Sequence, residues 1–303
     1  MKLDSHFVGT PLKPYQKTIH WRDTMNYAAA VDDPNDAYFD DLARGIIAPP
    51  MFPVAVTWPM IEGISEFIES AEFPFDLLAT MVHYTESIQW HRPLIPGDQL
   101  SIAGKIDAIR PHRAGAHVVI RFDATDLNKS PIFTEHVGAL LRGVECADSG
   151  RGIITRPENP EADVLDRHVW ESRVYIDPLR PYIYDGCTQI VFPIHTSRKF
   201  ARRVGLPGII LQGTATLAFA VREIVNREAD AQPRRVRAFY ARFTGMVRPG
   251  TEIRVVLTHK SIQPDDIRLF FSVFNASGEK AIKDGCLSLA HNHQMSGAYA
   301  DAV

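Results

Sequence analysis

The sequence predicts an α+β protein in which one unit, a helix followed by a meander of antiparallel strands, occurs twice. Three observations support this prediction. In each half, apolar residues recur first at helical spacing and then at the spacing of strands. The order of elements in the first half returns in the second. A polar stretch rich in Gly, Pro and charged residues lies between the halves, from 147 to 162, and is typical of a linker.

In the first half, the helix is predicted over residues 54–70. Val56, Met60 and Phe67 recur there at helical spacing, with glutamates between them. A proline-rich loop precedes this helix, and turn signals rich in Gly, Pro and Asn follow it. Four strands are predicted after residue 75, over 81–90, 99–109, 116–124 and 132–141.

The second half repeats this order, with its helix predicted over 213–226. The repeat is also visible in residues, because WHRPLIPGD at 90–98 has a counterpart in TGMVRPGT at 244–251. We expect the two units to pair their sheets edge to edge, as the subunits of a dimer would. The strands of this half are predicted over 170–176, 235–244, 252–258, 267–274 and 281–290. The resulting division is 1–146, a linker over 147–166, and 167–303.

The composition argues against several classes of protein. A net charge of −3 and a pI near 6.5 supply no field that would hold a nucleic acid. No run of ~18 apolar residues predicts a membrane span, and the N-terminal residues do not resemble a signal peptide, so we expect a cytoplasmic protein without membrane partners. Three cysteines spaced far apart favour neither disulfides nor a zinc site, and no other metal-ligand spacing occurs.

The stretch from 182 to 213 reads YIYDGCTQIVFPIHTSRKFARRVGLPGIILQG and concentrates the chemically useful residues. His195 follows a Pro-Ile step, and a histidine exchanges protons near neutral pH. A short basic helix is predicted next, followed by a Gly- and Pro-rich turn that leads to the apolar helix from Gly213. The N–H groups at the start of that helix favour negative charge. Clustered cations suit phosphate groups and occur here as Arg198, Lys199, Arg202 and Arg203, and later as Arg234, Arg235 and Arg237.

These residues resemble the MaoC-like acyl-thioester dehydratases and (R)-specific enoyl-CoA hydratases. The resemblance is carried by YIYDG at 182–186, PIHT at 193–196 and GLPGIILQGTAT at 205–216, while RPLIPGDQLSIAGKI at 92–106 is similar to the family's N-terminal half. It extends over about residues 18–290. The resemblance implies a tandem, or double, hot-dog fold, with each half a bent antiparallel sheet wrapped around a central helix. It also implies a hydro-lyase that interconverts a 2-enoyl-CoA and a 3-hydroxyacyl-CoA.

The sequence departs from the family's catalytic pattern, which has Asp, then Asn two residues on, and His five residues after the Asp. A comparison without a gap places Ile190 and Phe192 at the Asp and Asn positions. If 190–192 are an insertion, Cys187 and Gln189 take those positions and the preceding Tyr-Asp-Gly stays in step. The second arrangement needs no further adjustment and is favoured. The carboxylate that the family uses is absent in both.

The resemblance implies a role for each of these residues. His195 is the expected acid/base, backbone N–H groups near Gly213 are the expected oxyanion donors, and Asp185 and Gln189 are the candidates that complete proton transfer. Coenzyme A enters as part of the acyl-CoA substrate, no separate cofactor or metal is expected, and the two-domain chain is a candidate homodimer. The expected substrate contacts are Tyr184, Cys187, Gln212, Gly213, Gly208 and Arg198.

Two alternatives remain open from the sequence. One is different hot-dog thioester chemistry, as in a thioesterase or an isomerase or cyclase, and the other is a thioester-binding protein without turnover. The first half is expected to shape the substrate site, because its counterpart of the catalytic pattern is degenerate: Asp33, Asn35 and Tyr38 keep the spacing but place Tyr where the family has His. Asp33 and Asn35 can equally well cap a turn.

Overall fold

A computed structural model of the chain describes residues 1–42, 45–157 and 169–292. The helices are α1 (Trp21–Ala30), α2 (Asp36–Phe39), α3 (Pro53–Glu62), α4 (Ile64–Phe67), α5 (Arg180–Thr188), α6 (Arg198–Arg203) and α7 (Gly213–Glu228). The strands of the first half are β1 (Lys2–Leu3), β2 (Pro11–Thr18), β3 (Met81–Trp90), β4 (Gln99–His112), β5 (Gly115–Thr125), β6 (Pro131–Arg142) and β7 (Glu145–Cys146). The strands of the second half are β8 (Trp170–Ile176), β9 (Val236–Phe243), β10 (Thr251–Ile262), β11 (Ile267–Phe274) and β12 (Lys280–Leu289).

One ten-stranded sheet joins the two halves of the described chain, in the order β2-β4-β5-β6-β3-β9-β12-β11-β10-β8. Each half contributes five strands to this sheet, β2 to β6 and β8 to β12. When the five strands of each half are numbered in chain order, both sets have the order 1-3-4-5-2, and they meet through their second strands, β3 and β9. Thr85 pairs with Arg242 and Gln89 with Ala238 across this antiparallel junction. The predicted α+β class and the edge-to-edge union of two like units are therefore confirmed.

The central helix of the second half is α7, and the prediction of a helix from Gly213 is confirmed. Nearly every residue from Thr214 to Val221 is buried, because α7 lies against the concave face formed by β9, β10 and β12. A helix that is apolar on almost all sides is stable only when it is enclosed in this way. Its enclosure fixes the position of its first turn, in which Gly213 is exposed and Thr214 is buried.

The first-half helix differs from its prediction. The predicted single helix over 54–70 is instead α3 and α4, which are separated at Gly63, and α3 contains Pro59. Proline removes a helical donor and glycine ends the helix, so two short helices replace one long helix. Helices α1 and α5 were not predicted, and they pack against each other across the two halves. Of the predicted linker, residues 158–166 lie outside the described residues, while Arg151 forms a bridge with Ile109 of β4.

Gly138 of β6 allows two side chains of neighbouring strands to close over the sheet. A Cβ atom at this position would lie 1.9 Å from Oγ1 of Thr85 and 2.6 Å from Nε2 of His117. We expect Gly138→Ala to lower the free energy of unfolding by about 1–3 kcal/mol, because a well-packed site must shift to admit a methyl group. Urea unfolding measures this change. The double variant with Thr85→Ala should recover part of the loss, and an unchanged stability of Gly138→Ala would contradict the packing described.

Candidate active site

A cleft of about 2520 Å³ opens at the junction between the halves. The first half contributes α3, the start of β3 and the hairpin between β4 and β5. The second half contributes the loops on both sides of α6, the start of α7 and the end of β9. Apolar side chains line it together with a small number of polar groups, a composition typical of sites for small organic ligands. Among the predicted site residues, those that line the cleft are His195, Arg198, Gly208, Gln212 and Gly213.

His195 lies in the turn between α5 and α6, and its backbone N–H donates to the Phe192 carbonyl at 3.1 Å. Nδ1 of its ring lies 2.9 Å from the carbonyl oxygen of Ile210. Because a carbonyl only accepts, Nδ1 carries the hydrogen and Nε2 keeps its lone pair. Burial lowers the pKa of His195 to about 4, and the hydrogen bond to Ile210 opposes this shift. The ring is therefore neutral at pH 7 and presents Nε2 as a base.

The first turn of α7 begins at Gly213 on the wall of the cleft. The N-cap residue is Gln212, whose side chain does not cap the helix but donates from Nε2 to the Pro181 carbonyl at 3.0 Å. The first N–H groups of a helix have no partner within it and carry a partial positive charge. A side chain at Gly213 would meet the ring of Phe243 at 3.1 Å, so glycine leaves this end of the helix open. The arrangement is suited to an oxygen that gains negative charge.

Tyr184 is completely buried beneath the helix start. Its hydroxyl donates to Oγ1 of Thr214 at 3.2 Å and lies 3.0 Å from the hydroxyl of Tyr27 in α1. This chain of hydroxyls joins α1, α5 and the first turn of α7. Tyr184 therefore has no surface to offer a substrate, and it positions the helix start instead.

The other predicted members of the motif lie on or next to α5, and none of the three, all in the described part of the chain, lines the cleft. Asp185 is half-buried, and burial together with the nearby charge of Glu62 raises its pKa. Gln189 is exposed and donates from Nε2 to the Gly186 carbonyl, and Cys187 packs against the core. Their proposed catalytic and binding roles stay predictions. Within the described residues, the hydrogen bond to Ile210 is the one hydrogen bond of the His195 ring.

The predicted cationic cluster is only partly at the cleft. Arg198 and Arg202 of α6 line it and are exposed. Arg203 instead lies over the ring of Phe200. Arg235 is buried, donates to the Ala290 carbonyl and pairs with a carboxylate on the surface, so the expectation that it binds phosphate is wrong. The reason is local, since the turn before β9 folds its side chain inward against the end of β12.

Three titratable residues of the first half were missed from the sequence. His83 of β3 lines the cleft, while Glu86 of β3 and Glu135 of β6 are completely buried behind it. Burial raises the pKa of both carboxyls well above the usual range, and the charge of Glu86 raises that of Glu135 further. The sequence could have identified the two glutamates as unusual, because each is a charged residue at an inward position of a predicted strand. Apolar residues are the rule at such positions.

The degenerate pattern in the first half is closed to ligands. Asn35 caps α2 by accepting from the Ala37 N–H, as the turn interpretation predicts. Asp33 and Tyr38 are buried around a space of about 10 Å³ against α7, which is too small for more than one water molecule. Burial raises the pKa of Asp33 to about 6, and the Arg222 guanidinium partly offsets that shift. This small space therefore offers no room for an acyl-CoA, whereas the cleft at the junction does.

No group of three or more His, Cys, Asp and Glu side chains in the described part of the chain has an arrangement that would hold a metal ion. No described helix has both the length and the apolar character needed to cross a membrane.

Comparisons with known proteins give a match in each half of the chain. Residues 176–270 match the model of the MaoC like domain, and residues 6–134 match the FAS1-like dehydratase domain region. Fatty acid synthase subunit beta of Aspergillus oryzae is 34% identical over 116 residues, which are 38% of this chain and 6% of that subunit. The chain thus spans a small part of the curated relatives of this kind.

Solved structures agree in fold over most of the chain. A MaoC-like dehydratase from Phytophthora capsici has a TM-score of 0.79 at 18% identity, with 94% of this chain and 98% of that chain covered. A Mycobacterium tuberculosis protein described as having a double hotdog fold has a TM-score of 0.56 at 12% identity, over 92% and 96% of the two chains. These likenesses confirm the predicted double hot-dog fold.

Proposed function

Since the chain combines a MaoC-like domain with a FAS1-like dehydratase region, we propose that it is a hydro-lyase that interconverts a 2-enoyl-CoA and a 3-hydroxyacyl-CoA. The observation that carries this proposal is a neutral histidine and an uncapped helix start on the wall of one cleft. Elimination of water next to a thioester needs a base for the C2 proton and donors for the enolate-like oxygen. Both are available here.

In the dehydration direction, His195 takes the C2 proton at Nε2. The hydrogen bond from Nδ1 to the Ile210 carbonyl holds the ring in the tautomer that this step requires. As the proton leaves C2, charge moves to the thioester oxygen, which accepts hydrogen bonds from the N–H groups of the first turn of α7. The C3–O bond then breaks, and the departing hydroxyl needs a proton from a second group.

The coenzyme A portion of the substrate is assigned to α6. Arg198 and Arg202 are exposed on the cleft wall, and guanidinium groups bind phosphate oxygens in pairs. This assignment leaves the adenosine end of the coenzyme toward solvent and the acyl group toward the apolar side chains of the cleft.

Replacing Arg198 and Arg202 together by glutamine is expected to raise KM for crotonyl-CoA by about 3- to 10-fold, since exposed ion pairs are each worth only a fraction of a kcal/mol. The kcat should be unchanged, and the KM difference should shrink at high salt. The N-acetylcysteamine thioester of crotonate lacks the phosphates and is the matched substrate, for which KM should not change. Arg173→Gln, on an arginine whose side chain is 65% exposed, is the matched variant. An equal KM for crotonyl-CoA in the double variant would refute this assignment.

The reaction type is tested by incubating the wild-type protein with enoyl-CoAs of increasing chain length in ¹⁸O-labelled water. Hydration consumes the absorbance of the conjugated thioester and yields a hydroxyacyl-CoA that carries one ¹⁸O atom and no free thiol. Hydrolysis releases free coenzyme A and places the label in a carboxylate. Loss of thioester without a hydroxyacyl product would overturn the hydro-lyase proposal.

The second candidate is a protein that binds acyl thioesters without turnover. It is favoured by the absence of a carboxylate beside His195 among the described residues, where the family pattern has one. This candidate predicts that butyryl-CoA binds and that crotonyl-CoA is not consumed at any chain length or pH tested.

A further inference from the structure

The feature that the mechanism leaves unused is a buried acidic pair that reaches the cleft through one histidine. Glu86 and Glu135 come from adjacent strands of the first half and have no solvent exposure. Within the described residues, none of their four carboxyl oxygens has a well-directed hydrogen bond. Buried polar groups are normally paired, because an unpaired group loses its hydration without compensation. Two such carboxyls in the interior therefore point to a function.

A β-bulge brings His83 and Glu86 to the same face of β3. The pairing with β6 shifts between His83, which is opposite Ala139, and Thr85, which is opposite Gly138, so Tyr84 is the extra residue. Residues three apart in a regular strand point to opposite faces, and the added residue cancels this alternation. As a result, Nε2 of His83 lies 3.1 Å from Oε2 of Glu86.

His83 connects this pair to the space where a substrate would lie. Its side chain is 22% exposed and lines the cleft, whereas Glu86 is sealed behind it. The ring of His83 packs edge-on against Phe243 with 4.7 Å between centroids, and Phe243 is the side chain next to Gly213. Phe243 thus lies between His83 and the start of α7. The carbonyl of Ile210 binds the ring of His195, and Ile210 precedes Gly213 by three residues, which span at most about 10 Å of chain.

We infer that His83, backed by Glu86 and Glu135, is a second catalytic acid/base and takes a proton from the attacking water in the proposed hydration. This inference rests on the proposed function. Nε2 donates to the Thr85 carbonyl at 3.2 Å and faces Glu86, so Nδ1 keeps its lone pair and is the nitrogen left for the substrate. A carboxyl oxygen of Glu86 lies 3.1 Å from Nε2, where it stabilises the positive charge that the ring gains.

In hydration, the C3–O bond forms as water attacks C3, and a proton of that water goes to Nδ1 of His83. The electron pair of the C2–C3 double bond moves toward the thioester, and C2 takes a proton from Nε2 of His195, which is protonated at the start of this direction. His83 is then an imidazolium and His195 is neutral, and exchange of protons with water returns both to their initial state. Dehydration follows the same path in reverse, with His195 as the base for the C2 proton and the Nδ1 proton of the His83 imidazolium going to the departing hydroxyl.

Burial supports this assignment. It lowers the pKa of His83 to about 4, against the opposing effects of the Glu135 charge and the Thr85 carbonyl, and it raises the pKa of both carboxyls. The ring of His83 is therefore neutral at pH 7, which is the protonation state of a base that takes a proton from water.

The test uses His83→Gln, which keeps the size and a hydrogen bond to Glu86 but transfers no proton. We expect kcat for crotonyl-CoA to fall about 100-fold, within the range typical of general acid–base catalysis, with KM changed by no more than about threefold. His6→Gln, an exposed histidine outside the cleft, is the matched control and should not change kcat. Wild-type kcat in a folded His83→Gln protein would overturn the inference.

A second readout does not depend on turnover. In protein with ¹³C- and ¹⁵N-labelled histidine, the His83 signals are assigned by their loss in His83→Gln. We expect Glu86→Gln to change the balance of Nδ1–H and Nε2–H forms of His83, and saturated butyryl-CoA, which cannot be hydrated, to shift its signals. If no enoyl-CoA is hydrated, the proposed function fails, and this experiment still decides whether His83 contacts the ligand. Signals of His83 that respond neither to Glu86→Gln nor to butyryl-CoA would overturn the inference.

Discussion

Replacing His195 by glutamine is expected to lower kcat for crotonyl-CoA hydration by about 10²- to 10⁴-fold, the range that a positioned acid or base contributes. The glutamine amide can still donate to the Ile210 carbonyl, so the loop before α6 should keep its position. KM should change little, because no contact with the coenzyme is removed. An unchanged kcat would contradict the assignment of His195 as the acid/base, and His20→Gln, on an exposed histidine outside the cleft, is the matched control.

The pH dependence gives an independent check on the same residue. A base acts when it is unprotonated, and the pKa of His195 is lowered to about 4. In the dehydration of 3-hydroxybutyryl-CoA, where His195 acts as the base, the contribution of His195 to the rate should therefore stay level from neutral pH down to about pH 5 and fall only as the pH approaches 4. An ordinary histidine with a pKa near 6.5 would lose most of its activity by pH 5.5. Circular dichroism at each pH separates loss of the base from unfolding, and an acid limb centred near 6.5 in folded protein would contradict the buried position of His195.

The fold could be predicted from the sequence because its signals are local and repeated. Strand periodicity, turn residues and the apolar run of α7 each define an element without reference to the rest of the chain, and the second copy confirms the first. The failures are also local. Gly63 and Pro59 lie within a strong apolar pattern that by itself predicts one long helix, and the pattern of α5 lies within a stretch that was interpreted for its motif.

The sequence predicted only those site residues that lie close together in one segment of the chain. His195 and Gly213 lie 18 positions apart in one motif, and both line the cleft. His83 belongs to the other half, and only the pairing of β3 with β9 brings it to Phe243. No spacing rule joins residues 83 and 243, since their contact is a product of the sheet. The missing carboxylate was therefore sought among the neighbours of His195 in sequence, while the structure places a carboxyl pair across the junction.

Glu86 and Glu135 are also expected to dominate the pH dependence of stability above pH 6.5. The folded pKa of each is raised, so the folded protein keeps protons that the unfolded chain releases above about pH 4.5. The stability that depends on these protons is complete below that pH and is lost as the pH rises, by about 1.4 kcal/mol per pH unit for each retained proton. His83, His117 and His195 have the opposite sign, because their lowered pKa values near 4 cost stability only as the pH falls below about 6.5.

At acidic pH, the effects of the glutamates and of the histidines on stability partly cancel. Above pH 6.5, only the glutamates among these groups make the stability depend on pH. Glu86→Gln replaces a buried acid by a neutral group of the same shape, so we expect it to raise the free energy of unfolding at pH 7.5 and to reduce the loss of stability with rising pH. Urea unfolding at several pH values between 6.5 and 8 measures both the gain and the reduced slope. Glu145→Gln, at a side chain that is 75% exposed, should leave the slope unchanged. A wild-type stability independent of pH in this window would contradict the raised pKa of the two carboxyls.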